Sequence, residues 1–323
     1  MKYSIIVPIY HDSYLAPAFC AEIQDVMSNY LKTDKLDEIL EVIFINDGSG
    51  LECLNELISL SKTYRFVKVL DLSRNFGQHS AIACGFKEAK GEFVIRMNVD
   101  MQAPPSYIPS MCETMVKGDY DLVIGQYSER KSPWINKVTA HLYFRLFRFL
   151  TEFDAPQNTS PLRVMNRKFI DAYNSLTEKS RFPQGLDQWL GFRHKYVPIE
   201  HQERIDQKSS YNFWSRLILA INGILYCSSR PLTLVAVFGF IVATLGLLLA
   251  LYIVIEKLLG YNFASGFASF ISLGLIGFGI QLFCMGLIGI YISKTFKEVQ
   301  NRPLYIIREE YTNGFISATG KDK

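Results

Sequence analysis

Two kinds of apolar pattern divide this chain. In the first half, short runs rich in β-branched and aromatic residues predict strands at Tyr3 to Ile9, Ile39 to Ile45, Phe66 to Leu70, Glu92 to Met97 and Leu122 to Gly125. Longer segments with helical spacing separate them, at Ala18 to Leu31, Cys53 to Thr63 and Ser80 to Ala89. Strands alternating with helices predict an α/β domain built on a mostly parallel sheet covered on both faces. In the second half, Leu232 to Ile255 and Phe263 to Ser293 carry no charged side chain. Each exceeds the roughly 20 apolar residues that a bilayer-spanning helix needs. They predict a transmembrane hairpin, with spans at about 232–256 and 264–293. Just before it, Trp214, Leu217, Ile218, Ile221, Ile224 and Leu225 recur at helical spacing opposite Asn212, Ser215, Arg216 and Asn222. That stripe predicts an amphipathic helix over 209–229, either lying in the lipid interface or packed on the soluble domain. The expected order is therefore a soluble domain over 1–208, this helix, the hairpin over 230–294 and a tail over 295–323.

Composition and charge sharpen the picture. The chain has 323 residues, 49% hydrophobic and 20% charged, which excludes disorder. Its N-terminus lacks the apolar run and small-residue cleavage site of a signal peptide, so the soluble part is expected in the cytosol. Arg216, Arg230, Lys294, Lys297, Arg302 and Arg308 flank the outer ends of the spans, whereas the connection offers only Lys257 beside Glu256. The positive-inside rule then places both termini in the cytoplasm, at the cytoplasmic membrane. Six cysteines without metal-type spacing fit reduced, buried thiols. A net charge of +3 is too small to imply nucleic acid and suits a domain resting on anionic lipid.

In sheets of the expected kind, ligands bind beyond the carboxyl ends of the strands. Three polar clusters fall there: Pro8 to Asp12, Asn46 to Ser49, and Asn98 to Gln102. In an extended chain, residues two apart point the same way, so Asn98, Asp100 and Gln102 can converge on one hard cation with oxygen ligands. Such a cation would serve a diphosphate.

The ordered set Val-Pro-Ile-Tyr, Asn-Asp-Gly-Ser, Leu72-Ser73-Arg74-Asn75-Phe76-Gly77, Asn98 to Gln102 and Ala103-Pro104-Pro105 resembles family 2 glycosyltransferases that act on polyprenyl phosphate. The likeness continues through Gly191-Phe192-Arg193, Ser229-Arg230-Pro231-Leu232 and Arg302-Pro303-Leu304-Tyr305, so it covers nearly the whole chain. It implies a GT-A type nucleotide-diphospho-sugar transferase domain. It also implies an inverting, metal-dependent transfer of one sugar from a nucleotide sugar, UDP-linked by expectation, to undecaprenyl or a similar polyprenyl phosphate. By the same resemblance Pro8, Tyr10, Asp47, Arg74 and Asn98 bind the donor. Asp100, with Gln102 and Asn98, holds Mg2+ or Mn2+ and carries the catalytic role. Arg163, Arg204 and Lys208 hold the acceptor phosphate. The family includes homo-oligomers, and Gly274, Gly277, Gly279, Gly286 and Gly289 offer close-packing surfaces for subunits or for the hairpin itself.

Three departures from the family pattern matter. Asn46 stands where a second carboxylate is usual, Asn98 opens the metal motif in place of aspartate, and Pro161 replaces a proposed basic carboxylate. Asp154 is the nearby substitute for that base. A phosphate monoester, with its second pKa of about 6, is largely ionised at neutral pH and needs positioning more than deprotonation. The departures leave two other readings open: a relative that binds donor or lipid and scaffolds another enzyme, or a processive polysaccharide synthase. Asp187-Gln188-Trp189 lacks the arginine of the processive signature.

Overall fold

The computed structural model describes residues 2–128, 145, 148–150, 158–179, 183–202, 228–259 and 266–317. These fall into two compact units, one containing the N-terminal half with the C-terminal residues from Pro303, the other containing the two long helices.

The first unit is built on a nine-stranded sheet. Its strands are β1 (Tyr3–Ile9), β2 (Leu40–Asn46), β3 (Val67–Leu72), β4 (Phe93–Arg96), β5 (Leu122–Tyr127), β6 (Thr159–Asn166), β7 (His194–Ile199), β8 (Ile307–Thr312) and β9 (Phe315–Ile316). Their order in the sheet is β7-β5-β6-β4-β1-β2-β3-β8-β9. The central block β4-β1-β2-β3 is parallel, as is the β5–β7 pair. The β3–β8, β4–β6, β5–β6 and β8–β9 pairs are antiparallel. The sheet is thus mixed rather than mostly parallel. The expectation was drawn from the apolar N-terminal strands, whereas the antiparallel pairs come from later segments with weaker patterns. Residues 307–316, expected within a tail, form a hairpin on the β3 edge.

Strand continuity follows from burial on both faces, which makes parallel strands read as unbroken apolar runs. Alternate residues of β1 enter opposite cores: Ile5, Val7 and Ile9 on one side, Ile6 on the other. On the first side α1 (Ala16–Leu31) buries Phe19, Cys20, Ile23 and Met27 on one helical stripe, joined by Leu54 and Leu57 of α2 (Leu51–Thr63). Each such side chain contributes about 1.5–3 kcal/mol by leaving water. On the second side α3 (Gln78–Glu88) presents Ala81, Ala83, Cys84 and Gly85. A side chain at Gly85 would start 2.3 Å from Ile6 Cγ2, so small residues let this helix sit close to β1. The unit also contains α4 (Ile108–Gly118), α5 (Arg167–Ser175), capped by Asn166 accepting from the Phe169 N–H, and α6 (Pro183–Trp189).

The second unit contains α7 (Arg230–Leu258) and α8 (Phe267–Val299). Tyr291 Oη donates to the Ser228 carbonyl at 2.9 Å, fastening α8 to the start of α7. Among the described residues, Ile276–Val299 of α8 is long and apolar enough to cross a membrane by length and composition, with mean hydropathy 1.8. In α7 the apolar stretch Arg230–Gly246 is shorter. Phe238, Phe240, Leu245, Phe270, Leu273 and Phe283 are exposed, an apolar surface that calls for a non-aqueous neighbour. The expected interfacial helix falls outside the described residues but for Ser228 and Ser229.

Candidate active site

The carboxyl ends of β1, β2, β3 and β4 lie side by side, and their loops are tied to one another. The Asp47 N–H donates to the Ile9 carbonyl at 2.9 Å, and the His11 N–H donates to Ser49 Oγ at 3.1 Å. His11 is held at φ 64°, and its ring lies 4.2 Å from that of Tyr10, which is half exposed. Pro8, one residue short of the strand end, is paired with Ile45. Tyr10 therefore stands half exposed on a loop tied to the β2 turn.

Asp47 is buried, and both of its oxygens accept backbone N–H groups: Oδ1 from Phe76 at 2.7 Å and Oδ2 from Gly77 at 2.9 Å. Burial raises its carboxyl above the usual range, against the pull of these two bonds and of Arg74. Gly48, at φ +73°, lets the β2 turn press against this segment, since a Cβ there would start 2.5 Å from the Asn75 nitrogen. Arg74 lies over the Phe76 ring at 4.2 Å. Asp47 thus organises the Ser73–Gly77 segment, and the sequence did not disclose that role.

In the third cluster, Asp100 is buried and its Oδ1 accepts the Gln102 N–H at 3.3 Å, with Met101 between them at φ 52°. Asn98 Oδ1 accepts from Gln78 Nε2 of α3 at 3.3 Å. The segment is not extended as expected, since β4 ends at Arg96 and Met101 is left-handed, and it carries one carboxylate; no group of three His, Cys, Asp or Glu residues forms a metal site among the described residues. A single carboxylate still suits Mg2+ or Mn2+ when substrate phosphates and water complete the coordination, so the donor set fits such an ion.

Arg163 lies in β6, directly opposite Arg96 of β4. Both are buried, and Arg163 Nη1 is bonded to the buried Asp187 of α6. Two guanidiniums face one carboxylate here, and the Nε of each arginine has no hydrogen-bond partner among the described residues. Burial and the neighbouring Arg163 bring Arg96 down to about 10, and burial pushes Asp187 up. Arg163 is accordingly an interior charge. Asp154, Arg204 and Lys208 lie outside the described residues.

Two groups that the sequence did not assign to the site stand beside these loops. Asp71, the registered partner of Asn46, accepts from Asn46 Nδ2 at 2.8 Å, and Arg308 of β8 lies 3.5 Å from its second oxygen. The interior arginine had a visible signal, a lone charge inside the apolar run Phe93 to Met97.

The model of glycosyl transferase family 2 matches residues 4–173. The uncharacterized glycosyltransferase YkcC of Bacillus subtilis is 33% identical over 96% of this chain and 94% of its own length. The bactoprenol glucosyl transferase of Shigella phage SfII is 30% identical over 96% of this chain and 99% of its own length. Among solved structures, glucosyl-3-phosphoglycerate synthase from Mycobacterium tuberculosis, in complex with Mn2+ and uridine-diphosphate-glucose, is 16% identical. It matches 70% of this chain and 79% of that one at a TM-score of 0.47.

Proposed function

The chain belongs to glycosyl transferase family 2, and on that premise we propose that it transfers a single sugar from a nucleotide-sugar donor to a polyprenyl phosphate at the cytoplasmic face of a membrane. The observation that carries the reading is Asp100, a buried carboxylate at the end of β4 beside the interlocked loops of β1, β2 and β3. The lipid acceptor rests on the bactoprenol glucosyl transferase being alike over nearly the full length of both chains. The apolar helix α8 supports it, because a polyprenyl substrate is reached only at a bilayer.

The residues divide the work. Tyr10 offers an aromatic face to the donor base, and Asp47 holds the loop that bears Arg74 near the diphosphate. Asp100, with Gln102 and Asn98, would hold Mg2+ or Mn2+, which when bound supplies positive charge to a departing diphosphate. An oxygen of the lipid phosphate forms the new bond to the anomeric carbon from the face opposite the diphosphate. The carbon–oxygen bond to the diphosphate breaks with inversion, and the nucleoside diphosphate carries away the electron pair. The phosphate is already ionised, so a proline at position 161 removes no needed base. Arg204 and Lys208 position that phosphate, and Arg163 with Arg96 adds positive charge from the interior. The two spans anchor the enzyme as a hairpin with both termini in the cytoplasm, and homo-oligomers form through the helices.

The test is to incubate membranes containing the protein with undecaprenyl phosphate and a panel of nucleotide sugars, then weigh the lipid product. One added sugar, lost by about a hundredfold or more in Asp100→Ala, is expected. Donor binding without turnover would favour the scaffold suggested by Asn46 and Asn98, and longer products a processive synthase.

A further inference from the structure

Position 71 is where β3 passes into the Ser73–Gly77 segment that grips Asp47. In the β2–β3 register it stands directly across from Asn46. Asn46 and Asp71 are 1% and 2% exposed, so neither meets bulk water. The Asn46 amide works in both directions: Nδ2 donates to Asp71 Oδ1 at 2.8 Å, while Oδ1 accepts the Ser49 N–H at 3.2 Å. An amide makes both bonds from this position, whereas an ionised carboxylate could not donate the first. An aspartate at 46 would set two carboxylates against each other in a dry place, where the second charge is strongly disfavoured.

The other Asp71 oxygen has no hydrogen-bond partner among the described residues, and its nearest cation is Arg308 Nη1 at 3.5 Å. Arg308 belongs to β8, far along the chain. Its Nη2 donates to the Ser73 carbonyl at 2.7 Å, and the Ser73 N–H donates to the Ile306 carbonyl at 2.9 Å. Ile306 and Arg308, at the entry to β8, therefore hold Ser73 from both its N–H and its carbonyl. Three residues further on, the N–H of Phe76 begins the grip on Asp47.

We infer that Asp71 and Arg308 are positioning residues for the nucleotide donor. Asp71 orients the Asn46 amide that holds the Ser49 N–H of the Asp47 turn, and Arg308 sets the Ser73–Gly77 segment against that turn. The inference rests on the transferase reading and deepens it: donor affinity depends on a strand added after the long helices. Neither residue touches the reacting atoms, so their loss is felt in donor binding rather than in the chemical step.

The test uses the purified full chain in detergent, with UDP or GDP, whichever binds more tightly, titrated in the presence of Mn2+. Steady-state rates are measured on the corresponding nucleotide sugar, alongside melting temperatures. Arg308→Met is expected to raise the nucleotide Kd and the donor KM about tenfold, with kcat and acceptor KM within about twofold of wild type. Arg308→Lys, which keeps the charge but loses the fork, recovers part of the loss. Asn46→Asp weakens nucleotide binding through the opposed carboxylates, and the exchange Asn46→Asp with Asp71→Asn restores it to within about threefold. An unchanged donor KM in Arg308→Met, or an even fall in kcat and melting temperature with no selective donor effect, would overturn the inference. So would an exchange variant no better than Asn46→Asp, and that pair decides the matter if Arg308→Met fails to fold. A wild-type chain that binds neither nucleotide and turns over no sugar sinks the transferase reading and this inference together. An active wild type matched by Arg308→Met sinks the inference alone.

Discussion

Asp71 carries a consequence that can be read without any substrate. Burial raises its carboxyl above the usual range and Glu309 adds to the rise, against the pull of Asn46 and Arg308. A carboxyl whose pKa is higher in the folded than in the unfolded chain binds protons more tightly when folded. Its contribution to stability is present below the unfolded value and is lost as pH rises through the folded one. The melting temperature of wild type minus that of Asp71→Asn should therefore shrink as pH rises above the ordinary carboxylate range. Asp47 shifts in the same direction but is common to both proteins and drops out of the difference. A gap that widens with pH would mean that Arg308 outweighs burial. At this scale the extended alternation expected over Asn98, Asp100 and Gln102 gives way to a turn, since β4 ends at Arg96 and Met101 sits at φ 52°, while the polar cluster itself was legible. The partners of these residues were not. Gln78 takes the Asn98 oxygen from another element, and Arg308 meets Ser73 across 235 residues, a distance no local pattern spans.

Elements were legible in proportion to how apolar they are. The strands β1 to β5 are buried enough to stand out, and β1 was read with its observed bounds, Tyr3–Ile9. By contrast β7 has exposed residues at His194 and Lys195, and β8 carries Arg308, Glu309 and Glu310 in a row, so neither announces itself. The antiparallel pairings of β6, β8 and β9 make the sheet mixed. The β4–β6 pair also sets two arginines opposite each other, an arrangement that Asp187 makes tolerable. Removing one partner of a buried ion pair strands the other charge in a dry interior, so Asp187→Leu should destabilise the protein by about 3–5 kcal/mol. Arg96→Met removes the surplus cation and should be neutral or stabilising. Chemical denaturation of the two variants beside wild type checks the contrast, and equal losses would show that Asp187 acts through packing instead of charge.

For the molecule as a whole, the question is what covers α7 and α8. A soluble protein hides long apolar helices inside a core, yet many large side chains along these two are exposed. Water is a poor partner for such a surface, whereas lipid tails are a neutral one. The cations Arg230, Lys294, Lys297 and Arg302 sit at the ends of the apolar stretches, where their long stems can reach a headgroup layer. Leu282 is one of the exposed side chains of α8 and lies well inside its uncharged run. A lysine at the centre of a spanning helix costs about 2.5–3.5 kcal/mol, while one at the helix end reaches the interface at little cost. Leu282→Lys should therefore shift part of the protein from the pellet to the supernatant after alkaline carbonate extraction, and Val299→Lys should stay in the pellet. If wild type itself leaves the membrane fraction under these conditions, α8 is covered by protein, and the proposed lipid acceptor must then be delivered to the site instead of being met in the bilayer.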